Sequence, residues 1–258
     1  MLIPVTIDGQ TIEVEKGTNL LEAAKRLSIY IPSLCYHEAV APYGACRLCQ
    51  VEVESGGRKR LRTACEYPVL KEGERVYTNT QPVQRMRKLV LELLLARCPD
   101  VPILHEMAAD MGLTQVRFET VGEPSQCILC GLCERVCNEV LGVNAISFVG
   151  RGASRRISTP YEANSDVCIG CGACAYVCPT GVIRIKDIDG RRHLRFWNTT
   201  VELVSCQACG QQFAPGPTLL SAQGKAPDLE DILTLCPTCR GERVRMSLVA
   251  TCREHEDF

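Results

Sequence analysis

The sequence predicts an α+β chain built from small, metal-stabilised modules, on three observations. Eighteen cysteines stand in 258 residues, most of them in Cys-x-x-Cys clusters. Residues 2–15 alternate apolar and polar about Asp8-Gly9 and lead into a helix, opening a small mixed domain that ends near residue 81. Two similar runs, QCILCGLCERVCN and VCIGCGACAYVCP, then occupy Cys127 to Cys178, an internal duplication at short range.

The rest of the composition is ordinary. Apolar residues make up 46% and charged residues 23%, which argues against disorder. The net charge of −1 gives no electrostatic reason to expect nucleic acid or an anionic membrane as partner. The N-terminus MLIPVTIDGQ has neither a basic nor an apolar export region, and the apolar stretch Leu89–Ala96 is short and broken by Glu92, so no membrane insertion and a cytoplasmic location are expected. That context disfavours a disulfide scaffold and points the cysteines to metal or thiol redox chemistry. None of the four histidines lies within a Cys-x-x-Cys pair, so the ligand set is nearly all thiolate, which suits iron–sulfur clusters and structural zinc.

Taken in order, residues 2–15 read as a β-hairpin. Asn19-x-x-Glu22 resembles a capping box for a helix from Leu20 to about Leu27, and Pro32 marks the exit. Cys35, Cys46 and Cys49 follow, then a strand through Val51 and Val53, a Gly56-Gly57 turn, a second strand and Cys65. Residues 82–97 read as an amphipathic helix with Val83, Met86, Val90 and Leu93 on one face. A shorter helix runs through Met107 and Met111. Between the duplicated runs lie an expected strand at Val143–Val149 and a solvated loop carrying Arg151, Arg155 and Arg156. Asp189-Gly190 signals another hairpin, with Phe196 and Trp197 as strand core, and a flexible stretch separates the last two Cys-x-x-Cys pairs. The expected domains are 1–81, a helical linker at 82–120, a dicluster domain at 121–200 and a tail domain at 201–258.

The spacing of the cysteines carries the chemistry. In the duplicated runs, two-residue spacers let three thiolates converge on one cubane from a tight loop, while the fourth ligand comes from the other run. One [4Fe–4S] cluster is therefore assigned to Cys127, Cys130, Cys133 and Cys178, the other to Cys168, Cys171, Cys174 and Cys137. Zinc knuckles are the competing reading, but zinc seldom needs eight thiolates in duplicated register. Cys35, Cys46, Cys49 and Cys65 have the loop-plus-strand arrangement of a [2Fe–2S] ferredoxin domain, with zinc as the alternative. Cys206, Cys209, Cys236 and Cys239 form a zinc-ribbon pattern in which metal replaces a core the tail is too short to form; a fourth iron–sulfur cluster is the rival. Cys252 has no assigned role.

The stretches IPSLCYHEAVAPYGACRLCQVEVE, TACEYPV and VYTNT, with CILCGLCERVCNEVLGVNAISFVGRG, resemble the start of the large iron–sulfur subunit of respiratory complex I. They resemble equally the iron–sulfur diaphorase subunit of NAD(P)-linked [NiFe]-hydrogenases. The resemblance covers roughly residues 1–190. It implies a β-grasp [2Fe–2S] domain, a linker and a ferredoxin-like 2[4Fe–4S] domain in a hetero-oligomer beside a flavin- and NAD(P)H-binding iron–sulfur subunit. Those families usually carry a one-His, three-Cys cluster between the modules. Leu94, Val101 and Met107 stand where its partners to Cys98 would fall and His105 is out of register, so that cluster is expected to be absent and Cys98 to be a buried free thiol. No Gly-x-Gly-x-x-Gly fingerprint follows a strand, so the chain is not expected to bind NAD or flavin itself. No catalytic residue is evident. The function expected is electron relay to a hydrogenase catalytic subunit, with an NAD-linked formate dehydrogenase or a free-standing ferredoxin-type carrier as alternatives.

Overall fold

The structure, a computed structural model, describes residues 1–120 and 125–254, with side chains described as far as Met246. The side chain of Cys252, His255 and the expected boundary at residues 120–121 therefore lie outside the described residues in whole or part. The chain forms two compact units, Met1–Val140 with Val177–Val182, and Leu141–Tyr176 with Ile183–Phe258.

The first unit begins with β1 (Leu2–Ile7) and β2 (Gln10–Glu15), then α1 (Leu20–Arg26), β3 (Gln50–Ser55), β4 (Arg58–Thr63) and β5 (Arg75–Tyr77). The strands form one sheet in the order β2-β1-β5-β3-β4, with β1 parallel to β5 and every other neighbour antiparallel. This is the expected β-grasp arrangement. Alternation aims Ile3, Val5, Ile7, Val51, Val53 and Val76 at one face, where Leu20, Leu21, Ala23 and Ala24 of α1 pack with them in a single core. Both hairpins turn on two left-handed residues, Asp8-Gly9 and Gly56-Gly57, the type I′ geometry that matches strand twist. Asp8 also receives the Thr78 N–H at 2.8 Å and its hydroxyl at 2.5 Å, pinning the chain beyond β5.

The helix cap is half of what the sequence suggests. The Asn19 side chain accepts the Glu22 N–H at 2.9 Å, but the Glu22 carboxylate turns to the Tyr36 hydroxyl at 2.8 Å and to Lys25. It thereby serves the loop beside Cys35 rather than the cap. β4 lies at the sheet's edge, and its register places Arg60 and Arg62 opposite the inward-facing Val53 and Val51, with Arg58 next in that row.

Two helices, α2 (Gln81–Arg97) and α3 (Pro102–Asp110), pack against one another, and α2 also lies on β3. The buried face of α2 is Val83, Arg87, Leu91 and Leu95, with Glu92 beside it. The expected stripe is therefore rotated: Leu93 is half exposed, and two charged residues are buried. Arg87 donates to the Gln50 carbonyl at 2.7 Å, and Glu92 pairs with Arg117 at 2.7 Å, so each buried charge has a strong partner. Apolar periodicity misses such residues because their partners are distant in sequence. A short α4 (Leu132–Arg135) runs directly into a π-helical turn, Val136–Val140.

The second unit pairs β6 (Ser147–Val149) with β7 (Arg156–Ser158), followed by α5 (Ala173–Tyr176) and an antiparallel sheet ordered β11-β10-β9-β8. Its strands are β8 (Ile185–Ile188), β9 (Arg191–Leu194), β10 (Thr199–Ser205) and β11 (Gln212–Pro215), and α6 (Gly216–Lys225), α7 (Glu230–Leu233) and α8 (Pro237–Glu254) complete it. Asp189-Gly190 turns the β8–β9 hairpin as expected. Arg151, Arg155 and Arg156 are all exposed, as expected, with Arg156 in β7 paired to Glu162 and Arg155 stacked on Phe148 at 4.1 Å. Two expectations are corrected here. Phe196 and Trp197 sit in a 3-10 turn, not a strand, with Trp197 buried and Phe196 exposed against it. The stretch between the last cysteine pairs is structured, carrying β11, α6 and α7.

Replacing Asn19 with alanine removes the acceptor for the Glu22 N–H, and denaturant unfolding of the protein should show a loss of about 1 kcal/mol.

Candidate functional site

Cys49 and Cys65 flank the open end of the β3–β4 pair, where Gln50 faces Thr63 and the Ala64 N–H donates to the Cys49 carbonyl at 2.9 Å. The irregular segment after α1 brings in Cys35 and Cys46. All four thiols are at most 4% exposed. The Leu34 N–H donates to Cys46 Sγ and the Cys46 N–H to Cys35 Sγ, both at 3.4 Å. Sulfur-to-sulfur hydrogen bonds link the set: the Cys46 and Cys65 thiols hold Cys35 far below the ordinary thiol range, Cys65 lowers Cys49, and Cys46 and Cys65 are pushed up in return. Four buried sulfurs, linked in the pairs Cys35–Cys46, Cys35–Cys65 and Cys49–Cys65 and met by backbone donors, have the donor chemistry of a site for a thiolate-bound group. Arg47, left-handed at φ 58°, turns the loop between Cys46 and Cys49, and its guanidinium reaches Thr63 at 2.9 Å.

The first duplicated run lies in the same unit. Left-handed Leu129 and Gly131 curl the chain between Cys127 and Cys133. Cys130 and Cys133 are buried, as is Cys137 in the π-helical turn, while Cys127 is half-buried. Cys178 also belongs to this unit, half-buried, with its sulfur 3.4 Å from the Thr180 hydroxyl. Burial pushes up the Cys127 thiol and takes Cys130 to about 12, and the charge of Cys178 adds to both rises. Cys178 is thus within electrostatic reach of Cys127 and Cys130 despite the sequence distance. Arg97 of α2 donates to the Cys127 carbonyl at 3.1 Å, anchoring the loop.

In the second unit Cys168, Cys171 and Cys174 are half-buried. Gly170 and Gly172, at φ 69° and 85°, let the loop fold back. Arg192 of β9, held by Asp187 at 2.8 and 2.9 Å, donates to the Gly170 carbonyl at 3.1 Å, and the Thr218 hydroxyl of α6 donates to the Ile169 carbonyl at 2.5 Å. Sequence reasoning missed Arg192 and Thr218, which act on backbone from far along the chain.

Cys206, Cys209, Cys236 and Cys239 place all four sulfurs within 4.8 Å of one another. The Cys209 and Cys236 sulfurs are 3.8 Å apart. Zinc–sulfur bonds of about 2.3 Å in a tetrahedron give edges of about 3.8 Å, so the set fits one metal ion. A cubane, with each thiolate on a different iron, requires wider spacing. The Cys236 N–H donates to Cys206 Sγ at 3.2 Å and, with the N–H groups of Cys209 and Ala208, lowers that thiol to about 6. Hydrogen bonding to Cys209 and Cys236 pushes Cys239 up to about 12.

Cys98 is fully buried at the end of α2, and burial raises its thiol to about 11. Val101, Leu104 and Met107 nearby in sequence are also buried, and His105 bonds the Pro99 carbonyl at 2.5 Å.

Thiolate arrays of these three kinds define an iron–sulfur protein, and comparison with known proteins agrees. Residues 1–81 match the 2Fe-2S iron-sulfur cluster binding domain and residues 126–182 the 4Fe-4S dicluster domain. The chain is 36% identical over 231 residues to the alpha subunit of the NADPH-Fe(3+) oxidoreductase of Geobacter sulfurreducens, covering 81% of this chain and 27% of the relative. It is 34% identical over 234 residues to the G 2 polypeptide of the NADH-quinone oxidoreductase of Rhizobium meliloti, with the same two coverages of 81% and 27%. It is 34% identical over 212 residues to the HndD polypeptide of the NADP-reducing hydrogenase of Solidesulfovibrio fructosivorans, covering 70% of this chain and 36% of the relative. A crystal structure of an NAD+-reducing [NiFe]-hydrogenase in its H2-reduced state superposes with a TM-score of 0.54 at 29% identity, over 61% of this chain and 74% of that one. The chain is an iron–sulfur protein homologous to these hydrogenase and NADH-quinone oxidoreductase subunits, and it spans 27–36% of the length of the curated relatives. Among the described residues no helix is long and apolar enough to cross a membrane.

Two outcomes test this description. A Cβ at Gly170 would lie 3.1–3.2 Å from Pro215 and Val201 in a left-handed conformation, so Gly170→Ala should cost about 1–2 kcal/mol, read as a lowered thermal midpoint. In native protein at pH 8 Cys98 stays a neutral, buried thiol, so iodoacetamide followed by peptide mapping should leave it unmodified until denaturant is added.

Proposed function

We propose that this chain is the electron relay of a hetero-oligomeric oxidoreductase, carrying electrons between a flavin- and NAD(P)H-binding iron–sulfur subunit and a catalytic partner, with a [NiFe]-hydrogenase as the partner of first choice. The observation that carries the reading is the presence, in one compact unit, of the four linked thiols Cys35, Cys46, Cys49 and Cys65 and of Cys127 and Cys130 with Cys178. We assign a [2Fe–2S] cluster to the first set and a [4Fe–4S] cluster to Cys127, Cys130, Cys133 and Cys178. The second [4Fe–4S] cluster goes to the thiolates that the duplicated spacing pairs for it, and zinc to Cys206, Cys209, Cys236 and Cys239. Bound clusters would accept and release single electrons. What the chain's own residues do is present thiolates, exclude water around Cys46, Cys49 and Cys65, and direct N–H donors at sulfur, which together set the potentials.

Two comparisons name hydrogenases, one NADP-reducing and one an NAD+-reducing [NiFe]-hydrogenase, and the second supports that partner. The similarity to an NADPH-Fe(3+) oxidoreductase subunit favours a second reading, in which the same relay feeds a different acceptor. Many cysteines without a disulfide framework suit a reducing compartment, and on that ground we place the chain in the cytoplasm.

Anaerobically purified protein should contain about ten irons and one zinc, and dithionite should develop EPR signals from reduced clusters. Near two or near fourteen irons would sink the assignment. Affinity purification from native extract should recover a flavoprotein with a hydrogenase large subunit; a monomeric chain would instead make it a free-standing carrier. Cys209→Ser should lower the zinc content while leaving iron unchanged, measured by elemental analysis.

A further inference from the structure

Arg135 stands between Cys133 and Cys137 and is 6% exposed, yet among the described residues no carboxylate lies within ion-pair distance of it. Its fork is spent on backbone. One terminal nitrogen donates to the Ala41 carbonyl, the other to the carbonyl of Cys35 at 2.8 Å, and the guanidinium lies 5.4 Å from the Tyr43 ring centroid. One turn on, Glu139 accepts the Ala41 N–H at 2.8 Å. Both backbone groups of Ala41 are therefore taken by two side chains of the segment that carries Cys133 and Cys137. The loop so gripped, Cys35 to Tyr43, is the one between the first and second thiols of the other set.

A guanidinium does not lose its proton in a protein, and burying one without an anion is costly. The nearest negative charge the hydrogen bonds place is Glu139, on the far side of Ala41, and the cysteine ligands flank Arg135 in the chain. The carbonyl it holds belongs to Cys35 of the first set, and Cys133 and Cys137 on either side of it belong to the other, so the guanidinium stands against the backbone of both sets. The π-helical turn at Val136–Val140 directly after it is the kind of widened turn that proteins use to re-aim side chains at functional sites.

We propose that Arg135, helped by Glu139, is a positioning residue that locks the Cys35–Tyr43 loop onto the Cys133–Cys137 segment, and that its charge favours the reduced form of the centres on both sides. The proposal rests on the proposed function, in which these sites hold clusters. A purely structural arginine would alter stability alone; this one also sets how readily both centres take an electron.

The test uses the full chain, purified anaerobically as wild type, Arg135→Met and Arg135→Lys, with iron content and EPR-monitored redox titrations. Arg135→Met should shift reduction of both centres about tenfold toward the oxidised form, about 59 mV for a one-electron couple. Arg135→Lys keeps the charge and loses the fork, so the potentials should hold while the magnetic interaction between the reduced centres weakens. Unshifted potentials in an iron-replete Arg135→Met protein would overturn the proposal. Should that variant lose iron, Arg135→Lys decides, and an unchanged magnetic interaction overturns it. A wild type without cluster signals would instead overturn the functional reading on which this rests.

Discussion

Four sulfur atoms must meet at one point, and neither a helix nor a strand can bring four together from adjacent residues. That constraint shapes the molecule. The first cysteines of each set sit where regular structure stops: after α1, in the curl before α4, in the loop before α5, and in the turn after β10. Loops alone would not hold such an arrangement, since ordering backbone has a steep entropic cost. Side chains from distant elements therefore grip the loop carbonyls: Arg97 at Cys127, Arg135 at Cys35, Arg192 at Gly170 and Thr218 at Ile169.

Arginine dominates this role for a physical reason. Its planar fork supplies several donors in fixed directions, and it keeps its charge when buried. Arg87 and Arg135 are both largely buried, and both donate to main-chain oxygens rather than to carboxylates. Arg87 has the charge of Cys49 nearby in place of an ion-paired acidic side chain. The apolar core of the β-grasp sheet supplies the rigidity against which these polar clamps work.

Local chemistry was legible in the sequence, and long-range chemistry was not. Asp8-Gly9, Gly56-Gly57 and Asp189-Gly190 each announced a hairpin because two left-handed positions in succession narrow the choice of residues. The four-sulfur grouping of the tail followed from spacing alone, and the structure brings those sulfurs together. By contrast, the buried face of α2 was misread, since Arg87 and Glu92 are inward for partners at Gln50 and Arg117 that no periodicity encodes. Glu22 looked like a cap residue because its alternative, the Tyr36 hydroxyl, is fourteen positions away. Arg135 had one visible signal, a charge set inside a run of ligands, but its acceptors lie near residue 40.

The row of Arg58, Arg60 and Arg62 along β4 carries a consequence for the protein's life in a crowded cell. An edge strand offers unpaired amides to any passing chain, the starting point of fibril growth. Here a second copy adding itself to that rim would have to bury several like charges on the very side where a sandwich of sheets would close. That rim is thereby guarded by charge repulsion against a second copy of the chain.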